Sequence, residues 1–528
     1  MKRFLKWLFS WRTARRFLIG IAVLVTLYAV FCAEEDWRGK HEWNQYRQQL
    51  EAQGVQLNLA AFNPKPVPDD QNFAATPIVQ SWFVRWTGTG PRKFWSQEDN
   101  YGRVYDQVSP DRAYQTNGNR RFMDLVAWET AFDALRSGKT NSNRTFFKSD
   151  RLDLASRAKA APAVLEGLKT NEAIFAELHA ATSRPYVRYP IAYNLDDPWS
   201  ILLPHLGNLR NVCRRLQLKA CAELALGNRQ DALEDIKLML YLGDSVKDEP
   251  FLVSQLVRIA CLQLVIQPVW EGLAEHAWSE AQLQELQARF QQYNFVADMN
   301  TALDGERAAG VLTPELFRKE GLGLLFDLTG SGSATPYDKG VANLFGHIIP
   351  LGWYSMEQLS YCRLFQVEIE GGFDPANRRV SPSRLESNAD ALEHAIHGNG
   401  TAGDVFAAMF IKHRVLSAIL MPALNKTAYR AATAQAAADQ AALACTLERY
   451  RLANSTFPET LDALVPRFMS ALPHDVITGE PYKYRRTNDG EFVLYSVGWN
   501  EKDDGGVPGK TLFDEKEGDW VWQYPPVQ

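Results

Sequence analysis

His394 and His397 lie three residues apart, with Asp390 and Glu393 beside them. On a helix that spacing puts two imidazoles on one face, where they can share a metal ion. No HExxH pattern surrounds them, so a surface or capping role is the expected one. Glu306 and Arg307, in LDGERAAG, are read as a structural ion pair in preference to a polar site facing a groove, because an ionisable group inside a protein needs only a partner. The stretch GLGLLFDLTGSGSA is rich in glycine but has neither the Lys-Ser/Thr of a phosphate loop nor GxGxxG between strand and helix. GxSxG is absent. Asp69-Asp70 and Asp196-Asp197 read as loop charges or helix caps. No group of residues combines nucleophile, base and orienting partner. The sequence carries no enzyme signature.

The elements that must position these residues begin with an uncharged apolar run, Phe17 to Ala33. As a helix it falls slightly short of the ~30 Å hydrocarbon core of a bilayer. Trp11 and the flanking arginines extend its reach by sitting at the interface. Lys2, Arg3, Lys6, Arg12, Arg15 and Arg16 precede the run, and Glu34, Glu35 and Asp36 follow it. The positive-inside rule keeps the basic tail in the cytoplasm and sends the rest across. A cleaved signal peptide fits poorly, since Phe31 occupies the third place before a cut after Ala33. An uncleaved, single-pass signal anchor is expected, with membrane lipid as its partner.

Of 528 residues, 46% are hydrophobic and 23% charged, enough for two or three well-filled domains. A net charge of -5 gives no electrostatic case for nucleic acid. The basic tail suits anionic headgroups instead. Cys32, Cys213, Cys221, Cys261, Cys362 and Cys445 show no CxxC spacing and sit in apolar helical contexts, as buried thiols do. One disulfide is compatible with an oxidising compartment, without a choice of partners.

The fold class is mainly α, with four segments. Residues 1–33 form the tail and anchor. Residues 34–120 form a stem helix, carrying Trp43, Tyr46 and Leu50 on one face, and then a Pro-rich irregular connection. Residues 121–425 form a large irregular helical domain. In it, Gly227-Asn228 and Gly243-Asp244 punctuate three strongly periodic helices, and Ser279 with Gln282 makes a capping box. Leu322–Phe326 and Val341–Leu351 are too polar to span a membrane and are expected in the core. Residues 426–528 form a small α+β module. It opens on a long Ala-rich helix and continues into a hairpin around Asn488-Asp489-Gly490.

LKACAELALGNRQDALEDI resembles a tetratricopeptide helical hairpin, with small residues where two helices cross. The last hundred or so residues resemble the globular head of a type II secretion major pseudopilin. The residues that carry this are ERYRLANSTFPETLDALVP, LPHDVITGEPYKY, VLYSVGWNEKDDGG and GDWVW, in that order. Pseudopilins carry the head directly on a processed membrane helix. Here most of the chain intervenes, and the N-terminus lacks the Gly-Phe…Glu processing pattern, so polymerisation is not implied. The resemblance implies a bacterial inner-membrane setting, and a loop in which Asp503, Asp504 and Asp519 contribute to a Ca²⁺ site. Asn500 stands where the family tends to place an Asp, and a solvated acidic turn is the other reading.

Two functions follow. The first is a membrane-anchored extracytoplasmic interaction or scaffold protein, associated with secretion or envelope proteins. The alternative is a membrane-tethered, hydrolase-like enzyme with a site assembled in the helical domain. A deep pocket joining Glu306, Arg307 and a histidine would favour the enzyme.

Overall fold

The computed structural model describes residues 11–83, 99–108, 115–116, 118–138, 154–193, 196–328, 335–398, 401, 403–404, 407, 411–421 and 424–525. Lys2, Arg3 and Lys6, and the loop at 329–334, lie outside them. Anchor and stem are one unbroken helix, α1 (Trp11–Ala52). Its apolar stretch is exposed on all sides, whereas Trp43 and Leu50 on the stem are buried. Ion pairs at one-turn spacing, Arg38–Glu34 at 3.2 Å and Arg47–Glu51 at 3.6 Å, brace the polar stem. Gly54 ends the stem in a left-handed conformation, φ 86°, that costs glycine little.

The strongest periodic region forms three packed helices, α2 (Pro204–Ala225), α3 (Arg229–Asp244) and α4 (Leu252–Ala274). Pro204 opens α2 at a position where its missing N–H costs nothing. Next comes α5 (Glu280–Phe290), opened by the capping box of Ser279 and Gln282, and then α6 (Phe295–Glu320). The helix expected from about 160 to 181 is interrupted by a tighter turn at Lys169–Asn171, between Leu154–Leu168 and Glu172–Ala181.

Beyond α6 lie α7 (Pro336–Ile348), α8 (Leu351–Ile369), α9 (Val415–Leu420) and α10 (Leu424–Asn454). The Ala-rich α10 is buried along most of its length and packs on α4, α5 and α6. Alanine lets neighbouring backbones approach closely, so a helix of modest hydrophobicity serves as the central post. One continuous core joins Trp43, Leu216, Leu262, Leu443, Leu494 and Trp522, and so crosses from the 121–425 segment into the 426–528 segment.

The C-terminal sheet is antiparallel, in the order β1 (Lys483–Arg486), β2 (Phe492–Ser496), β3 (Trp520–Gln523). Tyr484 faces Leu494, and Tyr495 faces Val521. The sheet is tied to the helices where Trp270 Nε1 donates to the Gln523 carbonyl at 3.1 Å. The chain is thus mainly α with small antiparallel sheets, and its N-terminal helix is long and apolar enough to cross a membrane.

The second apolar stretch departs from expectation. In and beside α7, Leu344, Ile348 and Leu351 are exposed. The polar side of α7 is the side that docks: Lys339 Nζ meets Asp327 at 2.5 Å, and Asn343 Oδ1 accepts the Gly323 N–H at 2.6 Å. That pairing turns the apolar side outward.

Candidate functional site

The junction of α1 with the globular body holds the most distinctive geometry. Here α1 crosses α8 at Gly39 and Gly352, and a Cβ on either would overlap the opposing backbone. The Gly352 N–H donates to Asp36 Oδ1 at 2.6 Å. One turn below, Glu35 is buried. Its Oε2 accepts from the Arg38 guanidinium, and its Oε1 stands 3.0 Å from His413 Nε2. Burial holds the His413 pKa below the usual imidazole value, with Glu35 opposing. Trp353 closes over the imidazole edge-on, ring centres 6.2 Å apart. Glu35 reads in sequence as a simple flanking acid; the only signal for its role is its place directly after the apolar run.

Two clefts flank this junction. The larger, about 560 Å³, is lined by Tyr28, Cys32, Asp36, Arg318, His347 and Tyr354 among others. Arg318 is already paired with Glu315 at 2.7 Å, and Lys319 with Asp196 at 3.4 Å. The smaller, about 200 Å³, has Arg38, Arg363, Lys412, His413 and Arg414 on its walls and no carboxylate. Arg38 there is already held by Glu34 and Glu35, and Arg414 donates to the Ala395 carbonyl.

The residues singled out in sequence are dispersed. His394 is exposed on the helix Pro382–His397, and the side chain of His397 lies outside the described residues. Glu306 accepts the Leu252 N–H at 3.2 Å, and Arg307 lies over the Phe365 ring with Asp304 at 3.7 Å. Glu306 and Arg307 therefore serve different neighbours.

Glu306 belongs to a recurring device that the sequence does not announce. Glu357 accepts the N–H groups of Val415 and Leu416 at 3.0 and 2.9 Å, and Glu368 accepts that of Leu424 at 3.0 Å. Glu271 accepts that of Met123 at 2.7 Å while also holding Arg157. In each case a buried or half-buried carboxylate satisfies an amide at or beside the start of a distant helix, where no intrahelical partner exists. Burial pushes the Glu357 carboxyl up to about 8 and Glu368 up to about 7, against those amides.

Asp503, Asp504 and Asp519 do come together beside the C-terminal sheet. Asp519 accepts the Gly506 and Asp504 N–H groups at 2.6 and 3.2 Å. Asp503 Oδ1 accepts from the Tyr495 hydroxyl and the Gly505 N–H, and Asp504 Oδ2 accepts from Asn500 at 3.2 Å. The protein's own donors thus occupy the carboxylates proposed as Ca²⁺ ligands. Among the described residues, no group of three or more His, Cys, Asp or Glu side chains is placed to hold a metal.

No family model, curated protein or solved structure matches the chain. The six cysteines are free thiols.

Proposed function

We propose that this chain is a membrane-anchored, extracytoplasmic interaction or scaffold protein of the bacterial inner membrane, its short basic N-terminus in the cytoplasm. The reading draws on the apolar run and its flanking charges. It also draws on the pseudopilin-like motifs of the C-terminal segment, which point to secretion or envelope proteins as partners. The observation that carries it is the rigid junction at Gly39 and Gly352. A continuous helix packed backbone-to-backbone against the globular body supports a fixed attitude of that body to the bilayer that α1 is proposed to cross. A scaffold needs a fixed attitude; a tethered hydrolase on a flexible stalk does not. The placement of Glu306 as a helix cap, with Arg307 turned to other partners, also favours the scaffold over the enzyme.

Crosslinking in intact cells, followed by purification of the full-length chain from solubilised membranes, tests the reading. Removing 427–528 would strip α10 from the core, so charge reversal of the exposed Lys483 and Arg485 on edge strand β1 is the better control. Reproducible recovery of secretion or envelope subunits, lost in the Lys483→Glu/Arg485→Glu variant, is the expected result. Recovery of no specific subunit would sink it.

A further inference from the structure

Helix α7 is amphipathic and shows its apolar side to solvent. Tyr337, Val341, Leu344 and Ile348 recur at i, i+4, i+7 and i+11, which is a single narrow stripe on a helix. Tyr337 is 78% exposed, Leu344 65% and Ile348 52%, where a core helix would bury them. Lys339 and Asn343, on the other side, contact the preceding segment at Asp327 and Gly323. Such an arrangement leaves a soluble protein with an uncovered apolar band.

The position of the stripe identifies what covers it. The Tyr28 hydroxyl donates to the Ile348 carbonyl, and Tyr28 lies within the apolar run of α1. Four residues later in the chain, Gly352 meets Asp36, just beyond that run. The chain therefore climbs out of the level of the anchor between Ile348 and Gly352. Tyr28 precedes Ala33 by five residues, about 7 Å along a helix axis. Side chains on a helix lean towards its N-terminal end, so the contact is made inside the run and not above it. Interfacial helices bury their apolar faces by about 5–10 Å, a depth that matches the level of the Ile348 end of α7. Ile411 is also 67% exposed, beside Lys412 and close in sequence to His413, which meets Glu35 at the end of the run.

We propose that α7 is an interfacial helix, its Tyr337–Leu344–Ile348 stripe seated in the outer leaflet of the bilayer that α1 crosses. The inference rests on α1 being a bilayer span. The occupant is phospholipid, at the boundary of headgroups and acyl chains. The globular body then meets the membrane at two places, and the larger cleft between α1 and α7 opens at headgroup level.

The test uses full-length protein with Cys32→Ser, reconstituted in phosphatidylcholine–phosphatidylglycerol vesicles. Cys213, Cys221, Cys261, Cys362 and Cys445 are buried; one cysteine at a time is added beside them, at Leu24→Cys, Tyr337→Cys, Leu344→Cys or Asn488→Cys, to carry an environment-sensitive fluorophore, and quenchers are nitroxides fixed on lipid chains. Blue-shifted emission and several-fold stronger quenching at 24, 337 and 344 than at the hairpin residue 488 is the expected result. Quenching at 24 alone overturns the interfacial helix and leaves the anchor standing. No quenching at 24 overturns the anchor, and the inference with it. Blue-shifted but unquenched emission at 344 assigns the stripe to a second copy of the chain and overturns the lipid contact.

Discussion

Gly39 and Gly352 meet backbone to backbone where α1 crosses α8, with the Gly352 N–H held by Asp36 on the facing helix. The absence of side chains at the crossing allows the approach, as in close helix pairs generally. Beside the same crossing lies the buried Glu35, 3.0 Å from His413.

A side chain at this crossing must push the helices apart. Gly352→Val is expected to destabilise the full-length protein by about 1–3 kcal/mol, the usual cost of overpacking a well-filled contact. Gly20→Ala, where nothing lies within 4 Å, is the control and should be neutral. Urea unfolding in detergent, followed by tryptophan fluorescence, reads both. Equal effects at the two positions would remove the argument for a tight crossing.

Stability should fall as pH rises from mildly acidic to mildly basic values. Burial raises Glu357 to about 8 from an ordinary 4.5, and raises Glu368 and Asp235 to about 7. Through that window the folded chain keeps protons that the unfolded chain has released, so folding weakens as they are lost. His276, raised to about 9 by hydrogen bonds to Glu448 and Glu491, acts in the same direction: its contribution is full below about 6.5 and gone above 9. Glu448 opposes at low pH, held below its ordinary value against burial by Arg451 and His276. The melting temperature should therefore be highest at about pH 4.5, where the unfolded carboxyls begin to release protons that Glu357, Glu368 and Asp235 keep, and fall above it. Glu357→Gln should flatten the decline between about pH 6 and 8, and an unchanged slope would show that the carboxyl does not titrate there.

Much of this fold is legible in the sequence because it rests on local rules. Ser279 with Gln282, Gly227 after α2 and Gly490 in the hairpin each stand where the structure uses them. The stem face of Trp43 and Leu50 is likewise visible as a period. What escapes are relationships between distant segments. Alanine propensity marks α10 as a helix but cannot say that it is the central post, since only its neighbours decide that. Val341–Leu351 reads as core by composition, and the turning of its apolar side outward follows from Lys339 and Asn343 finding partners at 323–327. Glu35, Glu357 and Glu368 look like ordinary surface acids until their amide or imidazole partners are known. The candidate junction was thus half readable: its anchor from hydropathy, its glycine crossing not at all.

The C-terminal acidic loop should be held by the protein's own donors. Asp519 is buried and accepts two backbone N–H groups, so Asp519→Ala is expected to cost about 1–3 kcal/mol by stranding both. Chelation with EDTA should leave the melting temperature of the full-length protein unchanged. A drop on chelation, reversed by Ca²⁺ and abolished in Asp503→Asn/Asp504→Asn, would instead establish the cation site that the pseudopilin resemblance implies.

The position at which α1 passes from exposed apolar helix to core can be found by deletion. Arg15 to Ala33 contribute apolar surface that is exposed, apart from contacts such as that of Tyr28 with Ile348. From Glu35 onward the helix supplies Glu35, Gly39, Trp43 and Leu50 to buried contacts. Deleting 1–33 should therefore release a folded, water-soluble protein whose unfolding remains cooperative. Deleting 1–52 should remove Trp43 and Leu50 from the core, at about 3–5 kcal/mol for the tryptophan and about 2–5 for the leucine by the cost of large-to-small substitutions. Partitioning between membrane and soluble fractions, with circular dichroism melting of whatever is soluble, separates the two outcomes. Tight membrane binding of the shorter deletion would point to α7 and Ile411 as a second attachment strong enough to act without the anchor. Loss of folding in that same deletion would mean that the apolar run itself holds the globular body together.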